Sequence, residues 1–319
     1  MIIQSHRICV APMMDWTDRH CRFLLRQVNA TVRLYTEMIT TGALMHGDVE
    51  RHLRFNAAEH PVALQLGGSE PEGLAHCAKL GERYGYDEIN LNIGCPSERV
   101  QRGAFGACLM AEPLLVSECV RRIRDEVQVP VTIKHRIGLD RSEDYGFVRD
   151  FVGTVSAAGC RTFIVHARNA VLRGLSPKEN REIPPLRYDY VYRLKQDFPG
   201  VQIVINGGIT TLEDIDLHLS QVDGVMLGRA AYQNPWLLAD PGKTRAEVVR
   251  RMVDYCQAQR DPDFALRHVT RHMLGLYHGE RRARLWRRLL CDPARVAAND
   301  AGLLLEALEA VEGRAMMAA

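Results

Sequence analysis

Short apolar runs alternate with longer amphipathic segments along most of the chain. The runs are rich in β-branched residues, which is typical of buried strands, and the segments between them have the period of helices that bury one face. The predicted strands are Ile8–Pro12, Leu34–Met38, Val62–Leu66, Glu88–Ile93, Val131–Arg136, Thr162–His166, Gln202–Asn206 and Gly224–Leu227. The predicted helices include Thr17–Val28, Pro71–Tyr84, Pro113–Val127, Glu143–Ala158 and Leu212–Ser220. Eight strands separated by helices predict an α/β protein with a (β/α)8 TIM barrel.

The pattern changes after the eighth predicted strand. It ends near Leu227, and we expect the barrel to close at about Leu237. A break follows at Asp240–Lys243, which reads Asp-Pro-Gly-Lys. Beyond the break only helical periodicity is found, in Arg245–Gln257, Phe264–Leu276, Arg282–Leu290 and Leu303–Val311. The sequence therefore predicts two domains, a barrel of residues 1–240 and a C-terminal all-helical domain of residues 241–319.

The connection Arg168–Arg187, after the sixth predicted strand, is unusually long. It is polar and contains Pro177, Pro184 and Pro185, which predict an ordered excursion over the barrel mouth. Active sites of TIM barrels are built from the loops at this end of the strands, and long loops there are often functional.

Composition limits the class of protein. Of the 319 residues, 46% are hydrophobic and 25% are charged, which is ordinary for a soluble globular protein. Met1–Val10 is too short and too polar for a secretory signal, and no apolar run approaches the ~20 residues of a membrane span. The nine cysteines include no Cys-x-x-Cys pair, which argues against a disulfide framework or a zinc knuckle and favours a reducing cytoplasm. We expect no bound metal.

The net charge of +2 conceals a local excess of arginine. Residues 281–288 read RRARLWRR, with five arginines in eight residues and Trp286 among them. Such a run can be a solvated helix face. Arginine also binds phosphate in a planar, bidentate way and stacks on rings, so the same run suits an RNA backbone. Both interpretations stay open at this point.

Two glycine-rich segments follow the last two predicted strands. Asn206-Gly207-Gly208 comes after the seventh strand and Gly228-Arg229 after the eighth. Glycine lets the backbone approach an anion closely, and amides at a helix N-terminus donate to phosphate oxygens. Because barrels commonly bind phosphate at these two loops, we predict a phosphate site here. A plain tight turn is the alternative for the Gly-Gly pair.

Lys134 and His166 lie in apolar strands, where polar groups need a reason. The charge of Lys134 would be costly to bury without an anionic partner. That partner could be a flavin ring, which develops negative charge when reduced, or a structural ion pair with Glu37 or Asp87. His166 could be a core histidine, but at the rim beside a phosphate site we favour a ligand contact.

The segment Asn90–Ser97 reads NLNIGCPS and places Cys95 on a loop at the carboxyl end of the fourth strand. Cys95 could be a small hydrophobe, a nucleophile or an acid. A nucleophile needs a partner base, and no histidine follows at short range. A thiol with a pKa of about 8.5 is mostly protonated at neutral pH and can donate a proton. Gln65 and Asn92, at neighbouring strand ends, suit the edge of a heterocycle.

Together these motifs resemble those of the tRNA-dihydrouridine synthases, flavoenzymes that reduce a uridine base in tRNA, and most of all the A subgroup. The matching segments are APMMDWTDRHCR from Ala11, LYTEMITTGA from Leu34, HPVALQLGG from His60, YDEINLNIGCPSERVQRGAFGACLM from Tyr86, HAR at His166, LSPKENREIPPL from Leu175, INGGI from Ile205, GVMLGRAAYQNPW from Gly224, and RHMLGL and RLWRRLL nearer the C-terminus. The resemblance covers nearly the whole chain; only Met1–Ser5 and Glu312–Ala319 match nothing we recognise.

The resemblance implies an FMN-binding barrel, residues 1–240, and a helical tRNA-binding domain, residues 241–319. By motif match the FMN contacts fall on Pro12, Met13, Met14, Gln65, Lys134, His166, Asn206, Gly207, Gly208, Gly228 and Arg229. The family's proton donor maps to Cys95. The tRNA contacts of the A subgroup map to Asn92, Lys178, Arg181, Arg284 and Arg287.

The resemblance also implies the reaction. NADPH reduces FMN, the target uridine leaves its stack, hydride passes from flavin N5 to C6 of the uracil, and Cys95 protonates C5. The A subgroup acts in the D-loop, at tRNA positions 20 and 20a. We expect a cytoplasmic enzyme with no obligate protein partner, as a monomer.

Three rival functions stay open on the sequence. A small-molecule flavin oxidoreductase on the same barrel would not need the arginine-rich helices. A tRNA-binding chaperone with an inactive flavin site would not need Cys95 and Lys134. A phosphate-binding isomerase barrel explains neither Cys95 nor the helical domain.

Overall fold

The eight predicted strands form one parallel sheet in the order β1-β8-β7-β6-β5-β4-β3-β2. The computed structural model describes residues 6–142 and 144–313, without the side chain of Arg99. The strands are β1 Ile8–Val10, β2 Leu34–Thr40, β3 Val62–Gly67, β4 Glu88–Ile93, β5 Val131–Arg136, β6 Thr162–His166, β7 Gln202–Asn206 and β8 Gly224–Leu227. Residues 1–5, Glu143 and residues 314–319 lie outside the described residues, so the predictions that include them are compared with the structure only over the remaining residues.

A short bridge completes the barrel between its first and second strands. Cys9 pairs in parallel with Arg33, just before β2. The Val10 amide donates to the Arg33 carbonyl at 2.9 Å, and the Arg33 amide donates to the Ile8 carbonyl at 3.0 Å. The (β/α)8 barrel that the strand count predicts is therefore confirmed.

Helices follow the strands in the expected alternation. Their bounds are α1 Arg19–Val28, α2 Thr41–His46, α3 Val49–Leu53, α4 Pro71–Tyr84, α5 Glu98–Arg102, α6 Pro113–Glu126, α7 Tyr145–Ala157, α8 Tyr188–Asp197, α9 Leu212–Leu219, α10 Arg229–Gln233, α11 Arg245–Gln257, α12 Arg267–Met273, α13 Ala283–Leu290, α14 Pro293–Ala297 and α15 Gly302–Glu312. Among the described residues, none of the helices has the length and apolar character needed to span a membrane.

The barrel interior is apolar on one side and polar on the other. A compact cluster of small and bulky side chains comes from most of the strands: Cys9, Ala11, Tyr35, Ala63, Ile164, Val204 and Met226, with Met13 packed on it. On β4, by contrast, Glu88 and Asn90 are fully buried. They alternate with the apolar Ile89 and Leu91, as successive strand residues point to opposite faces. The β4 residues that share the face of Glu88 are thus polar.

The described residues divide into two compact units, which differ from the predicted domains in two places. The barrel unit consists of residues 6–15 and 32–228, and the helical unit of residues 16–31 and 229–313. The helical unit thus starts earlier than residue 241 and also contains α1. The reason is packing: Phe23, Leu24 and Val28 of α1 are buried in one core with Met252 and Trp286.

The excursion after β6 is ordered around one buried amide. Asn180 is fully buried, and its side-chain nitrogen donates to the carbonyls of Val171, at 2.9 Å, and Leu175, at 3.2 Å. Its side-chain oxygen accepts from the Val171 amide at 2.8 Å. Buried amides are costly unless they are hydrogen-bonded in this way. Asn180 therefore fixes the turn that carries Lys178 and Arg181.

Candidate active site

Cys95 lies on the loop after β4, and hydrogen bonds of the backbone hold it there. The Asn92 side-chain oxygen accepts from the amides of Gly94, at 3.1 Å, and Cys95, at 2.9 Å. The Cys95 carbonyl accepts from the Ala107 amide at 2.9 Å. The half-buried thiol donates to the Ser97 hydroxyl at 3.5 Å. The loop is thus anchored on both sides of the thiol, which itself has only a weak hydroxyl partner.

Arg136, at the end of β5, ties this loop to the excursion. Its Nε donates to the Gly94 carbonyl at 3.2 Å, and Nη1 donates to the carbonyls of Asn169, at 3.0 Å, and Asn180, at 2.9 Å. Burial lowers the pKa of Arg136 to about 10, so the side chain stays charged at neutral pH. The sequence places Arg136 with Lys134 among the polar groups at the strand ends but assigns it no contact. Because the two residues are two apart on one strand, they lie on the same face.

Lys134 projects toward the ends of β5 and β7. Its ammonium donates to the Asn206 side-chain oxygen at 3.1 Å, and Asn206 in turn donates to the Met226 carbonyl at 2.7 Å. Burial, together with the charge of Arg136, lowers the pKa of Lys134 to about 7. Within residues 6–142 and 144–313, Lys134 has no ion pair. The alternative of a pair with Asp87 is wrong, because Asp87 lies 2.8 Å from His60 Nδ1 and accepts from the Val62 amide.

His166 is a neutral imidazole surrounded by cations. It is 8% exposed, and its pKa lies well below the ordinary value because of burial and the charges of Arg136, Lys134, Arg168 and Arg181. Its ring makes no hydrogen bond to another described residue. A neutral ring with a free donor or acceptor suits a ligand contact better than a core role. The four cations concentrate positive charge at the carboxyl ends of β5 and β6.

The loop after β7 lies directly against this ring. Gly207 has φ +116° and Gly208 φ +74°, which side chains rarely adopt. A Cβ on Gly207 would come within 2.6 Å of His166 Cδ2, so the glycine lets the backbone lie against the imidazole. The Tyr188 hydroxyl donates to the Gly207 carbonyl at 2.7 Å, so that carbonyl already has a partner within the protein. The geometry leaves the Gly207 and Gly208 amides as candidates for an anion.

The remaining predicted cofactor contacts come from three parts of the chain. Gln65 is 1% exposed at the end of β3 and donates to the Asn90 side-chain oxygen at 2.7 Å. Met13 packs on the barrel core, while the neighbouring Met14 is 56% exposed. The other predicted contacts in this set are Pro12, half-buried beside Met13; Gly228, which ends the barrel unit; and Arg229, which starts α10 in the helical unit.

A groove of about 410 Å³ runs beside the cysteine loop in the barrel unit. The loop side is formed by Pro96, Ser97 and Glu98, and the excursion side by Leu172, Gly174, Leu175, Ser176 and Pro177. Lys178 and Arg181 are exposed on the turn that follows. The groove therefore lies between the loop that carries Cys95 and the excursion that carries Lys178 and Arg181.

In the helical unit, α13 separates its arginines from its apolar face. Trp286 is fully buried and donates from its ring nitrogen to the Met273 carbonyl at 2.8 Å. Arg284 and Arg287, three residues apart, are exposed on the other side, and neither has an ion pair with a described residue. The helix thus presents two cations with no carboxylate of the described chain to neutralise them.

Comparison with known proteins gives the family context. The family model described as "Dihydrouridine synthase (Dus)" matches residues 9–312. The chain is similar to the tRNA-dihydrouridine(20/20a) synthase of Pseudomonas putida, 55% identical over 97% of this chain and 95% of the relative. It is 54% identical to the proteins of the same name from Salmonella typhimurium, over 97% of this chain and 96% of the relative, and Escherichia coli K12, over 96% and 92%.

Proposed function

The chain belongs to the dihydrouridine synthase family, and from this premise we propose that it reduces uridine to dihydrouridine at positions 20 and 20a of tRNA. The three relatives carry this specificity in their name and align over nearly their whole length. Family membership makes the chain a flavin-dependent oxidoreductase. The specificity for the D-loop, and FMN and NADPH as cofactor and reductant, belong to the proposal.

The observation that carries the proposal is the set of charged and neutral side chains near the Cys95 thiol. Lys134 and Arg136 lie close enough for their charges to interact with it. Both cations lack a carboxylate partner among the described residues, and His166 nearby is neutral. Concentrated positive charge beside a glycine loop fits an anionic cofactor. A thiol at the same place fits a nucleobase that receives a proton.

The chain's own groups fit FMN. The glycine loop of Gly207 and Gly208 would receive the phosphate, since a Cβ there would fill the space against His166. Lys134 would face the ring, where its ammonium stabilises negative charge. The other residues we assign to FMN are Pro12, Met13, Met14, Gln65, His166, Asn206, Gly228 and Arg229. When bound and reduced by NADPH, FMN would supply the hydride that goes to C6 of the uracil.

Cys95 and Asn92 would act on the uracil itself. We assign to Cys95 the proton that goes to C5, because the thiol lies on the loop that faces the groove and has only the weak Ser97 contact to lose. The Asn92 side-chain nitrogen has two N–H groups and donates one of them to Gln65. The second N–H would hold the uracil. The base must leave its stack to reach these groups.

Basic side chains in each unit would hold the tRNA backbone. In the barrel unit these are Lys178 and Arg181, on the turn that Asn180 fixes. In the helical unit they are Arg284 and Arg287 on α13. We accordingly assign FMN binding to residues 1–240, and tRNA binding to residues 241–319 with the help of Lys178 and Arg181, in a monomeric enzyme of the cytoplasm.

Mass spectrometry of tRNA from a strain that lacks the gene tests the function. We expect dihydrouridine to disappear at positions 20 and 20a and to return with the wild-type gene but not with Cys95→Ala. Dihydrouridine elsewhere in the same tRNAs is the internal control. Unchanged dihydrouridine at both positions would overturn the proposal. Turnover of free uridine, but not of tRNA, by the purified protein would instead favour a small-molecule oxidoreductase.

A further inference from the structure

A continuous chain of side-chain hydrogen bonds runs through the interior of the barrel unit to the cysteine loop. Thr132 Oγ1 donates to Glu88 Oε1 at 2.5 Å, and Asn90 Nδ2 donates to Thr132 Oγ1 at 2.8 Å. Gln65 Nε2 donates to Asn90 Oδ1 at 2.7 Å, and Asn92 Nδ2 donates to Gln65 Oε1 at 2.9 Å. The strand register supports the chain, since Asn90 pairs with Gln65 on one side and Thr132 on the other.

The far end of the chain is a buried carboxylate. Glu88 is fully buried, with His6 Nε2 at 2.7 Å, Arg33 Nη1 at 3.1 Å and the Tyr35 hydroxyl at 3.1 Å. Burial opposes its ionisation, but the interactions with His6, Arg33 and Thr132 prevail and lower its pKa. At neutral pH Glu88 is therefore an ionised acceptor with no proton to give.

The two ends force every bond between them to run in one direction. Glu88 can only accept, so the Thr132 hydroxyl gives it its proton and is left as an acceptor for Asn90. The amides of Gly94 and Cys95 can only donate, so Asn92 must turn its oxygen to them and its nitrogen to Gln65. Each of the three side-chain amides is thereby fixed in one of its two orientations.

We propose that Glu88 and Thr132 are positioning residues that act together with the Gly94 and Cys95 amides, at the other end, to fix which groups Gln65 and Asn92 present to the flavin and the uracil. In the observed direction, each of these two amides uses one N–H within the chain and has a second one left over. The chain thus presents donors, which match the carbonyl oxygens of both heterocycles. The inference rests on the proposed function, because it names that site's ligands.

Reversal of the chain would reach the cysteine loop. In Glu88→Gln, the amide oxygen would face Arg33 and its nitrogen would donate to Thr132. The Thr132 hydroxyl would then donate to Asn90, and each amide beyond would turn over. Asn92 would have to accept from Gln65 while it already accepts from two backbone amides. Either that loop contact or the Gln65 contact is lost.

Thr132→Val tests the proposal because it removes the hydroxyl and keeps the shape of the side chain. We expect FMN to bind the apoprotein about fivefold to tenfold more weakly, as for the loss of one hydrogen bond in a network. The flavin midpoint potential should shift, and kcat should fall while KM for tRNA stays within about twofold, since the phosphate contacts lie elsewhere. Thr132→Ser should restore all three, and Glu88→Gln should resemble the valine variant.

Thr162→Val is the matched control. Thr162 is also a buried threonine of a barrel strand. Its hydroxyl donates to the Gln202 side chain at 3.0 Å and takes no part in the chain of hydrogen bonds from Glu88 to Asn92. Thermal unfolding of the apoproteins measures the general cost of losing such a hydroxyl. Thr132→Ala removes the hydroxyl in a second way if the valine variant does not fold.

The outcomes separate the two proposals. If wild-type protein does not bind FMN at all, the proposed function fails. If wild-type protein binds FMN, and Thr132→Val differs from it no more than Thr162→Val does in FMN affinity, flavin potential and kcat, the positioning role is wrong. A lowered unfolding temperature with an unchanged potential also contradicts it, because a purely structural hydroxyl would give that result.

Discussion

Cys95 differs from Cys160, a cysteine of the barrel core, in burial and in hydrogen-bond partner. Burial raises the pKa of the Cys160 thiol to about 12, and Cys160 donates to backbone carbonyls within the core. Cys95 is half-buried on a loop, and its thiol donates to the Ser97 hydroxyl. The sequence could single out Cys95 because a glycine and a proline flank it, but its neighbours depend on the folding of β5 and the excursion.

Cys95→Ala is predicted to abolish most product formation and to leave binding intact. A positioned proton donor contributes about 10²–10⁴-fold, so dihydrouridine formation should fall by that factor. Reduction of the flavin by NADPH and the Kd for tRNA should not change, because the thiol takes no part in either. Stopped-flow absorbance and single-turnover assays measure these steps. Cys291→Ala, at an exposed free cysteine, is the control.

A Cys95→Ala enzyme that turned over tRNA within about threefold of the wild-type rate would be too fast for the loss of a proton donor. The C5 proton would then have to come from another group or from water.

Lys134 is predicted to make FMN affinity depend on pH. Its pKa of about 7 in the free protein means that the side chain is largely neutral by about pH 9. The acceptor atoms at the edge of the flavin ring bind the ammonium form more strongly than the neutral amine, so FMN binding above about pH 7 must take up a proton. The Kd for FMN should therefore rise between about pH 7 and 9, by up to about tenfold per pH unit. Fluorescence titration of the apoprotein measures this rise.

Lys134→Met should bind FMN weakly at every pH in that range and should lack the rise. Lys79→Met removes a half-buried lysine of α4, paired with Glu126 on the surface, and should keep the wild-type profile. A wild-type Kd that stays flat from about pH 7 to 9 would mean that FMN does not bind against Lys134.

At the scale of elements, buried strands were the easiest to predict. The bounds of β4 to β8 agree with the sequence pattern, because runs such as Val131–Arg136 are bounded by turn residues on both sides. The pattern did not predict α2 and α3, which are too short to show a helical period. It also extended α12 to Leu276, whereas the helix ends at Met273. A Cβ on Gly275 would come within 2.4 Å of the Gln233 carbonyl, so the backbone packs closely there.

The polar chain inside the barrel could not be predicted from period alone. The sequence places Glu88, Asn90 and Asn92 on one face of a strand. It does not tell whether that face is exposed to solvent or hydrogen-bonded to side chains of the neighbouring strands. The answer comes from Gln65 and Thr132 on the neighbouring strands, in a register that sheet formation sets. For the same reason Arg136 was missed as the link between two loops.

Gly207→Ala is predicted to disturb the loop after β7. The positive φ costs an alanine roughly 1–3 kcal/mol, and its Cβ would press on His166. We expect a lower unfolding temperature and a Kd for FMN raised about tenfold, since both the amides and the imidazole must move. Gly200→Ala is the control, because its Cβ would meet nothing within 4 Å. Equal effects of the two substitutions on the Kd for FMN would mean that Gly207 does not contribute to the FMN site.

For the molecule as a whole, the positions of the charged residues are more informative than the net charge. The chain has 41 basic and 39 acidic residues, so its net charge of +2 gives no sign of a nucleic-acid partner. Many surface arginines are neutralised locally, as Arg122 is by Glu72 at 2.7 Å and Arg295 by Glu306 at 2.8 Å. Arg284 and Arg287 are not neutralised in this way within the described chain. Two unpaired cations on one helix face can grip neighbouring phosphates.

Replacement of Arg284 and Arg287 by alanine is therefore predicted to weaken tRNA binding in a salt-dependent way. Each lost phosphate contact reduces the slope of log Kd against log salt by roughly 0.7–0.9, so the double variant should lose roughly 1.4–1.8. The fold of α13 should persist, because Trp286 and Leu290 hold its other face. Reduction of the flavin by NADPH should be unchanged. Filter binding across salt concentrations and stopped-flow absorbance measure the two effects.

The matched control removes the same charge from the outside of the barrel unit. Arg83 on α4 and Arg121 on α6 are exposed, and neither has an ion pair with a described residue. If general electrostatic attraction were responsible, both double variants would lower the salt slope alike, because each removes two positive charges. If α13 contacts phosphate, only the Arg284 and Arg287 pair lowers it. An unaltered slope in that pair would make the arginines a solvated helix face, and the tRNA would have to bind through other residues.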